Sequence, residues 1–424
     1  MPVASNQRRS IGAITVRWGS VAVASLLWAG ALARAEEPSG FRLSFAGYGT
    51  LSVVHSSEDR ADFLGSLLAE SGAGYTHSWS PEVDSRIGAQ VTATFTPELS
   101  AVLQVVAEQQ YDGSYTPQLE WANVKYQFTP DASVRVGRVV LPTFLVSDYR
   151  KVGYANVWVR PPVEVYGLVP VTSVDGLDAS YRVEVGGFTS TFQANFGQND
   201  SKLSDGTDLE GRRSRGLTVS AERGATLVRL GYQQTDLRLE VFNQLFDAFR
   251  QFGPEGESIA DRYDVDGSVY GFYVAGAQYD PGAWFVMAEA GHARSETALG
   301  DHTVWYVSGG YRFGRLTPYL TYSSVDTRDP LSDPGLTLAA YPPELRATAA
   351  GLNAALNAVL AARAIQDGVS IGARWELSKS FDLKVQFDHG SIGAGSRGRL
   401  SNLQPGFALG GSYSLISVAV DFVF

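Results

Sequence analysis

The chain has 424 residues, no cysteine, 45 glycines, 12% aromatic and 18% charged residues, and a formal net charge of −10. Without cysteine there is no disulfide framework and no thiolate metal or redox site, and without a basic run nucleic acid is not expected as a partner. A mean hydropathy of −0.07 excludes a bundle of membrane helices but suits a membrane β-barrel, in which only alternate residues face lipid.

At the amino terminus Arg8, Arg9 and Arg17 precede the apolar run Val21–Trp28, and Ala33-Arg-Ala35 supplies a small-x-small cleavage pattern. Residues 1–35 therefore read as a secretory signal peptide cleaved after Ala35, with residues 36–424 as the mature barrel. The leader holds Arg8, Arg9, Arg17 and Arg34 and no acid, so its removal takes the net charge from −10 to −14. An acidic, cysteine-free exported chain fits the periplasm or the outer membrane.

From Phe41 the chain alternates with period two. Phe41, Leu43, Phe45, Leu51 and Val53 share one face, and Arg42, Ser44, Tyr48, Thr50 and Ser52 share the other. The same alternation predicts strands over 86–95, 101–110, 121–128, 134–140, 177–183, 188–196, 217–221, 226–232, 269–279, 284–290, 305–313, 316–322, 369–377 and 381–389. In the strand at 134–140 the phase is broken, because Arg135 and Arg138 have opposite parity, and a bulge or an early end is expected there. Two stretches, 239–252 and 344–363, carry apolar residues at helical spacing and predict amphipathic loop helices packed on the barrel mouth or on a neighbouring subunit. The last strand, Tyr413–Phe424, puts Ile416, Val418, Val420, Phe422 and Phe424 on one apolar face. An unpaired strand edge is not tolerated in lipid, so it must pair with the first strand. The fold class is all-β, a transmembrane antiparallel barrel of about sixteen strands.

Two regularities support the barrel. Seven tight turns alternate with longer connections near 56–82, 112–118, 141–174, 199–213, 237–266, 294–301, 326–367 and 390–412, as expected for short periplasmic turns and long outer loops. The face assigned to lipid is almost free of charge, with Arg138 as the exception; a midplane Lys or Arg there costs about 2–4 kcal/mol. Aromatic residues (Phe95, Phe128, Tyr181, Trp284, Phe313, Trp375 and others) gather near the tight turns, where an interfacial girdle lies.

Sixteen strands enclose more space than their own side chains fill, so selectivity depends on what narrows the lumen. The connection 141–174 is the constriction candidate, with Asp148, Tyr149, Arg150, Lys151, Arg160 and Glu164 as the residues that would set it. Arg42, Arg86, Glu108, Lys125, Arg135 and Arg182 lead the candidates for the lumen wall; rings of such charges set ion preference through the local field. Arg229, Arg312, Arg374, Lys384, Asp178, Glu222, Glu289, Glu376, Asp382 and Asp388 are further inward charges. Catalysis finds no support: the five histidines are scattered, no HExxH occurs, and neither metal nor cofactor is expected.

The chain resembles the Gram-negative outer-membrane porins over essentially all of its mature length. The resemblance rests on Gly47-Tyr-Gly-Thr-Leu51, Val136-Gly-Arg138, Arg315-Leu-Thr-Pro-Tyr319 and the terminal Phe, together with the strand arrangement. It implies passive diffusion of small hydrophilic solutes and ions, a loop folded into the pore, a homotrimer in outer-membrane lipid, and Phe422 and Phe424 as a signal read by the barrel-insertion machinery. The chain departs from the general-porin pattern in its Ala-rich seventh outer loop and in a third loop that leans basic. The alternatives are a substrate-specific channel for an anion or small nutrient, and a non-conducting receptor or structural barrel.

Overall fold

The computed structural model describes residues 40–424; the leader assigned to residues 1–35 lies outside the described residues. Sixteen long strands follow one another in chain order: β1 (Arg42–Ser56), β2 (Arg86–Thr94), β3 (Leu99–Glu108), β4 (Gln118–Thr129), β5 (Ala132–Val140), β6 (Ser173–Val185), β7 (Phe188–Lys202), β8 (Asp208–Arg223), β9 (Thr226–Leu239), β10 (Ser268–Tyr279), β11 (Trp284–Arg294), β12 (His302–Tyr311), β13 (Leu316–Asp326), β14 (Gln366–Glu376), β15 (Phe381–Ile392) and β16 (Gly411–Val423). Each pairs antiparallel with the next. One half of β1 pairs with β2, from Arg42 opposite Thr94 to Thr50 opposite Arg86, and the other half with β16, from Tyr48 opposite Val423 to Ser56 opposite Leu415. That second pairing closes the barrel and removes the free edge.

The alternation read from the sequence is the alternation of exposure. On β1, Phe45 and Leu51 are 73% and 66% exposed on the outer surface, whereas Thr50 and Val54 are 2% and 0% exposed on the inner one. The closing seam shows why glycine recurs in β1. A Cβ on Gly47 would lie 2.1 Å from the ring of Phe424, and one on Gly49 would lie 2.4 Å from the ring of Phe422. The terminal aromatics lie flat over backbone that has no side chain of its own, and Gly47 and Phe424 exchange backbone hydrogen bonds of 2.8 and 3.0 Å.

Two expectations are corrected. The connection near 199–213 is not a long loop: β7 runs to Lys202 and β8 starts at Asp208, leaving five residues. Both strands continue well past their apolar segments, because above the lipid their outer face meets water and polar residues cost nothing there. The bulge expected in β5 is also absent, since β5 stays in unbroken register with β6 from Ala132 opposite Tyr181 to Val140 opposite Ser173. Arg138 keeps the outward parity of Val136, and its guanidinium grips Asp175 of β6 in a fork of 2.7 and 2.5 Å. Its remaining nitrogen donates to the Leu119 carbonyl at 3.0 Å. The outward charge is neutralised by its neighbour.

On the long-loop side three helices form a cap: α2 (Glu240–Arg250), α3 (Gly253–Tyr263) and α4 (Pro343–Leu360). Phe246 and Phe249 of α2, Ile259 and Tyr263 of α3, and Leu356 and Leu360 of α4 share one apolar cluster. The helical spacing in 239–252 and 344–363 placed α2 and α4. The intervening α3, with Pro254 in its first turn, carries too few apolar residues to show as a period. Elsewhere on the rim, the two-residue strands Asp62–Phe63, Ala73–Gly74 and Leu400–Ser401 tie the first outer loop to the last.

Candidate functional site

The connection from β5 to β6, residues 141–172, folds inside the barrel. Pro161-Pro162 leads into a single helical turn, α1 (Val163–Tyr166), where fixed proline φ suits a helix start. Phe144, Leu145, Val146, Trp158, Val165 and Tyr166 of the loop pack into one cluster with Phe272, Phe285, Met287, Val304, Tyr306 and Tyr319. Those partners are inward residues of β10–β13. An apolar lumen wall cannot face water over that area, so the loop is held on that side by burial.

Polar anchors fix where it lies. Glu289 of β11 accepts the Leu145 amide (2.7 Å) and the hydroxyls of Tyr166 (2.5 Å) and Tyr306 (2.9 Å). The Trp158 indole donates to Ser308 at 3.0 Å and to Thr321 at 2.9 Å. The Lys384 ammonium, fully buried, pairs with Asp421 at 2.8 Å and donates to the carbonyls of Gly153 (2.7 Å) and Trp158 (3.0 Å). Gly153 sits so close to the β1–β16 seam that a Cβ would lie 2.0 Å from Asp421 Oδ1. Loop segments therefore touch β1, β3–β4 and β8–β16, the contacts to β8 and β9 being Thr218 on the Pro142 carbonyl and Arg229 on the Phe144 carbonyl.

The six charged or phenolic loop candidates divide by what they do. Arg160 is 7% exposed; it donates to Asp84 at 2.6 Å, to Asp388 at 2.9 Å and to Ser417 at 2.7 Å. Burial opposes its charge, but Asp84 and Asp388 outweigh that and hold its pKa above the usual value. Glu164 is 5% exposed and accepts from Ser323 (2.8 Å) and Gln366 (2.7 Å). These two are anchors, spent against the wall. Lys151 bridges Glu108 at 2.6 Å and Glu120 at 2.7 Å; the two carboxylates overcome its burial and raise its pKa. Arg150 donates to the carbonyls of Val169 (2.8 Å) and Tyr166 (2.9 Å), cross-linking the loop to its own returning limb, and burial brings its pKa down to about 10. Burial also raises the Tyr149 phenol, which stays neutral with Arg229 and Asp148 nearby. Asp148 is half-buried and has no ion partner among the described residues.

The wall candidates show the same division. Arg86 approaches Glu108 at 3.7 Å, and Arg135 pairs with Asp178 at 2.7 Å while Gln193 donates to the other Asp178 oxygen at 2.6 Å. Arg42, Lys125 and Arg182 face inward and form no salt bridge among the described residues. The anchors Asp84, Glu120, Gln366 and Gln386, the last accepting the Val159 amide at 2.9 Å, were missed by the sequence reading. Only Glu120 left a local signal. It sits at a register shift between β3 and β4, and a bulge of that kind re-aims a side chain.

Sixteen strands leave a lumen too wide for the wall side chains alone to fill, and a loop pinned across it defines an outer-membrane β-barrel channel. The chain belongs to the Gram-negative porins, whose family model matches residues 20–395, and it is an outer-membrane channel for passive diffusion. Similar solved structures include the anion-selective porin from Comamonas acidovorans (14% identity, 91% of this chain and 100% of that one, TM-score 0.53). Salmonella typhi OmpF in complex with daunomycin (13%, 91% and 98%, 0.54) and the outer membrane channel DcaP of Acinetobacter baumannii (12%, 91% and 98%, 0.52) share the fold. No curated protein matches the sequence.

Proposed function

We propose that residues 141–172 set the aperture through which small hydrophilic solutes and ions diffuse, with Asp148 on its open side and Tyr149 packed behind it. The observation that carries this reading is the loop's attachment to β11–β16 through Glu289, Trp158, Lys384 and Arg160. That attachment, with Lys151 on Glu120 at one end of β4, leaves the inner surfaces of β5–β7 and the Lys125 end of β4 as the facing wall, where Lys125, Arg135 and Arg182 supply the field. The chain works as a homotrimer in outer-membrane lipid, reached after cleavage of residues 1–35 and insertion through a signal that includes Phe422 and Phe424; family membership supports these steps.

Planar-bilayer recording in asymmetric salt tests the aperture. Stepwise conductance whose reversal potential moves toward anions in Asp148→Asn is the expected result. A reversal potential unmoved by that change would take Asp148 out of the aperture. A second reading, a channel specific for an anionic solute, is favoured by Lys125 and Arg182, inward cations with no carboxylate within salt-bridge distance among the described residues. Chemical cross-linking that traps only monomers and dimers would remove the trimer.

A further inference from the structure

At the outer mouth of the barrel, the first, second, fourth and eighth outer loops surround a cavity of about 480 Å³. Its lining includes Glu70, Glu82, Asp205, His77 and Gln109, and neither Lys nor Arg among the described residues. The volume is that of an ordinary small-molecule site. The acids are held differently. Glu70 is exposed and its carboxylate lies over Gly113, close enough that a Cβ there would meet Oε2 at 2.2 Å. Glu82 Oε2 accepts from Ser71 (3.0 Å) and from the Gln109 amide (3.0 Å), with His77 Nδ1 at 3.6 Å, and its Oε1 has no donor among the described residues. Asp205 accepts from the Thr207 amide at 2.9 Å, and neither Glu70 nor Glu82 has a Lys or Arg within salt-bridge distance among the described residues.

Gln109 points independently to a ligand. It is 7% exposed, and both amide hydrogens are spent, on Ser71 Oγ at 2.8 Å and on Glu82 Oε2. That fixes the orientation of the side chain and leaves its buried Oε1 with no donor. A buried acceptor without a donor costs about 1–3 kcal/mol, and every charged group lining the cavity apart from His77 is also an acceptor. The missing partner is a donor carrying positive charge. A bare metal ion does not suit the site, because no cluster of His, Asp or Glu among the described residues converges closely enough to hold one.

We propose that this cavity binds a small organic cation through an ammonium or guanidinium group, with Glu82 and Glu70 as its counter-ions and the Gln109 carbonyl as an oriented acceptor. The site shares no lining residue with 141–172 and is tested without current. Agmatine, which carries one group of each kind, is titrated calorimetrically into the detergent-purified full-length protein, with glutamate as the control solute. Saturable agmatine binding is expected, weakened at least about tenfold by Glu82→Gln, as the loss of a charge-assisted hydrogen bond predicts, with no glutamate binding. Glu82 also holds Ser71 and Gln109, so Glu70→Gln, at an exposed position, serves as the variant that leaves the loops intact. Heat-modified electrophoretic mobility confirms that each variant is a folded barrel. Agmatine binding that is absent, matched by glutamate, or unchanged in both variants would overturn the site.

Discussion

Arg160 carries most of the electrostatic burden at the loop's attachment. Its guanidinium is buried against Asp84, itself 2% exposed, and stacks over the Phe63 ring at 5.2 Å. Removing one partner of such a pair strands the other charge and costs about 3–5 kcal/mol, whereas replacing both by apolar groups is often neutral. Arg160→Ala should therefore destabilise the barrel by about that amount, read as a lower denaturant midpoint for the loss of heat-modifiable mobility. Arg160→Met combined with Asp84→Leu should recover most of the loss. A single variant as stable as the parent would show that Trp158 and its apolar neighbours hold the loop unaided; truncating a buried Trp costs a similar ~3–5 kcal/mol. From the sequence, Arg160 and Glu164 looked the same as Asp148. All are charged residues in one loop, and only the walls they meet decide that two are anchors and one is open.

Among the elements, the helical cap holds the 327–342 connection partly through an ionisable side chain, so its state should follow pH. Glu255 of α3 accepts from the Thr337 hydroxyl (2.7 Å), the Thr337 amide (3.0 Å) and the Tyr341 hydroxyl (2.8 Å). The Thr337 and Tyr341 hydroxyl bonds hold its carboxyl below the usual carboxylate range. A depressed folded pKa means that the contact contributes fully above the unfolded value and is lost as pH falls through the folded one. Hydrogen-exchange protection in 327–342, taken relative to the intrinsic rate at each pH, should fall on acidification below the ordinary Glu range, and Glu255→Gln should show the lower protection already at neutral pH. Protection independent of pH in the parent would show that the Glu255 contacts do not hold the cap. The helices themselves were legible where aromatic or aliphatic residues fall three and four apart. α3 was hidden because its exposed face is Gly-, Glu- and Asp-rich and its burial is supplied by α2.

At the scale of the whole molecule, charge is distributed by height: acids around the outer cavity, and uncompensated bases on the inner wall of β4–β6. Replacing Lys125 and Arg182 with Glu should move the reversal potential severalfold toward cations in permeability ratio, because wall charge sets the local field that mobile ions meet. Arg182 is exposed and Lys125 half-buried, and neither forms a salt bridge among the described residues, so folding should be unaffected. A reversal potential that stays in place would mean that the aperture takes its field from the loop side only.

What the sequence determined by itself was the barrel. Period-two alternation, an outward face free of unpaired charge, and turns placed at every second connection are local properties, each dictated by lipid on one side and water on the other. The strand ends were less legible at β7 and β8, where the outer face leaves the lipid and the alternation loses its apolar half. The path of residues 141–172 and the pairings Arg160–Asp84, Lys384–Asp421 and Arg138–Asp175 were decided only by tertiary structure. These join residues tens or hundreds of positions apart, and no local pattern records which wall a loop will meet once the sheet has closed.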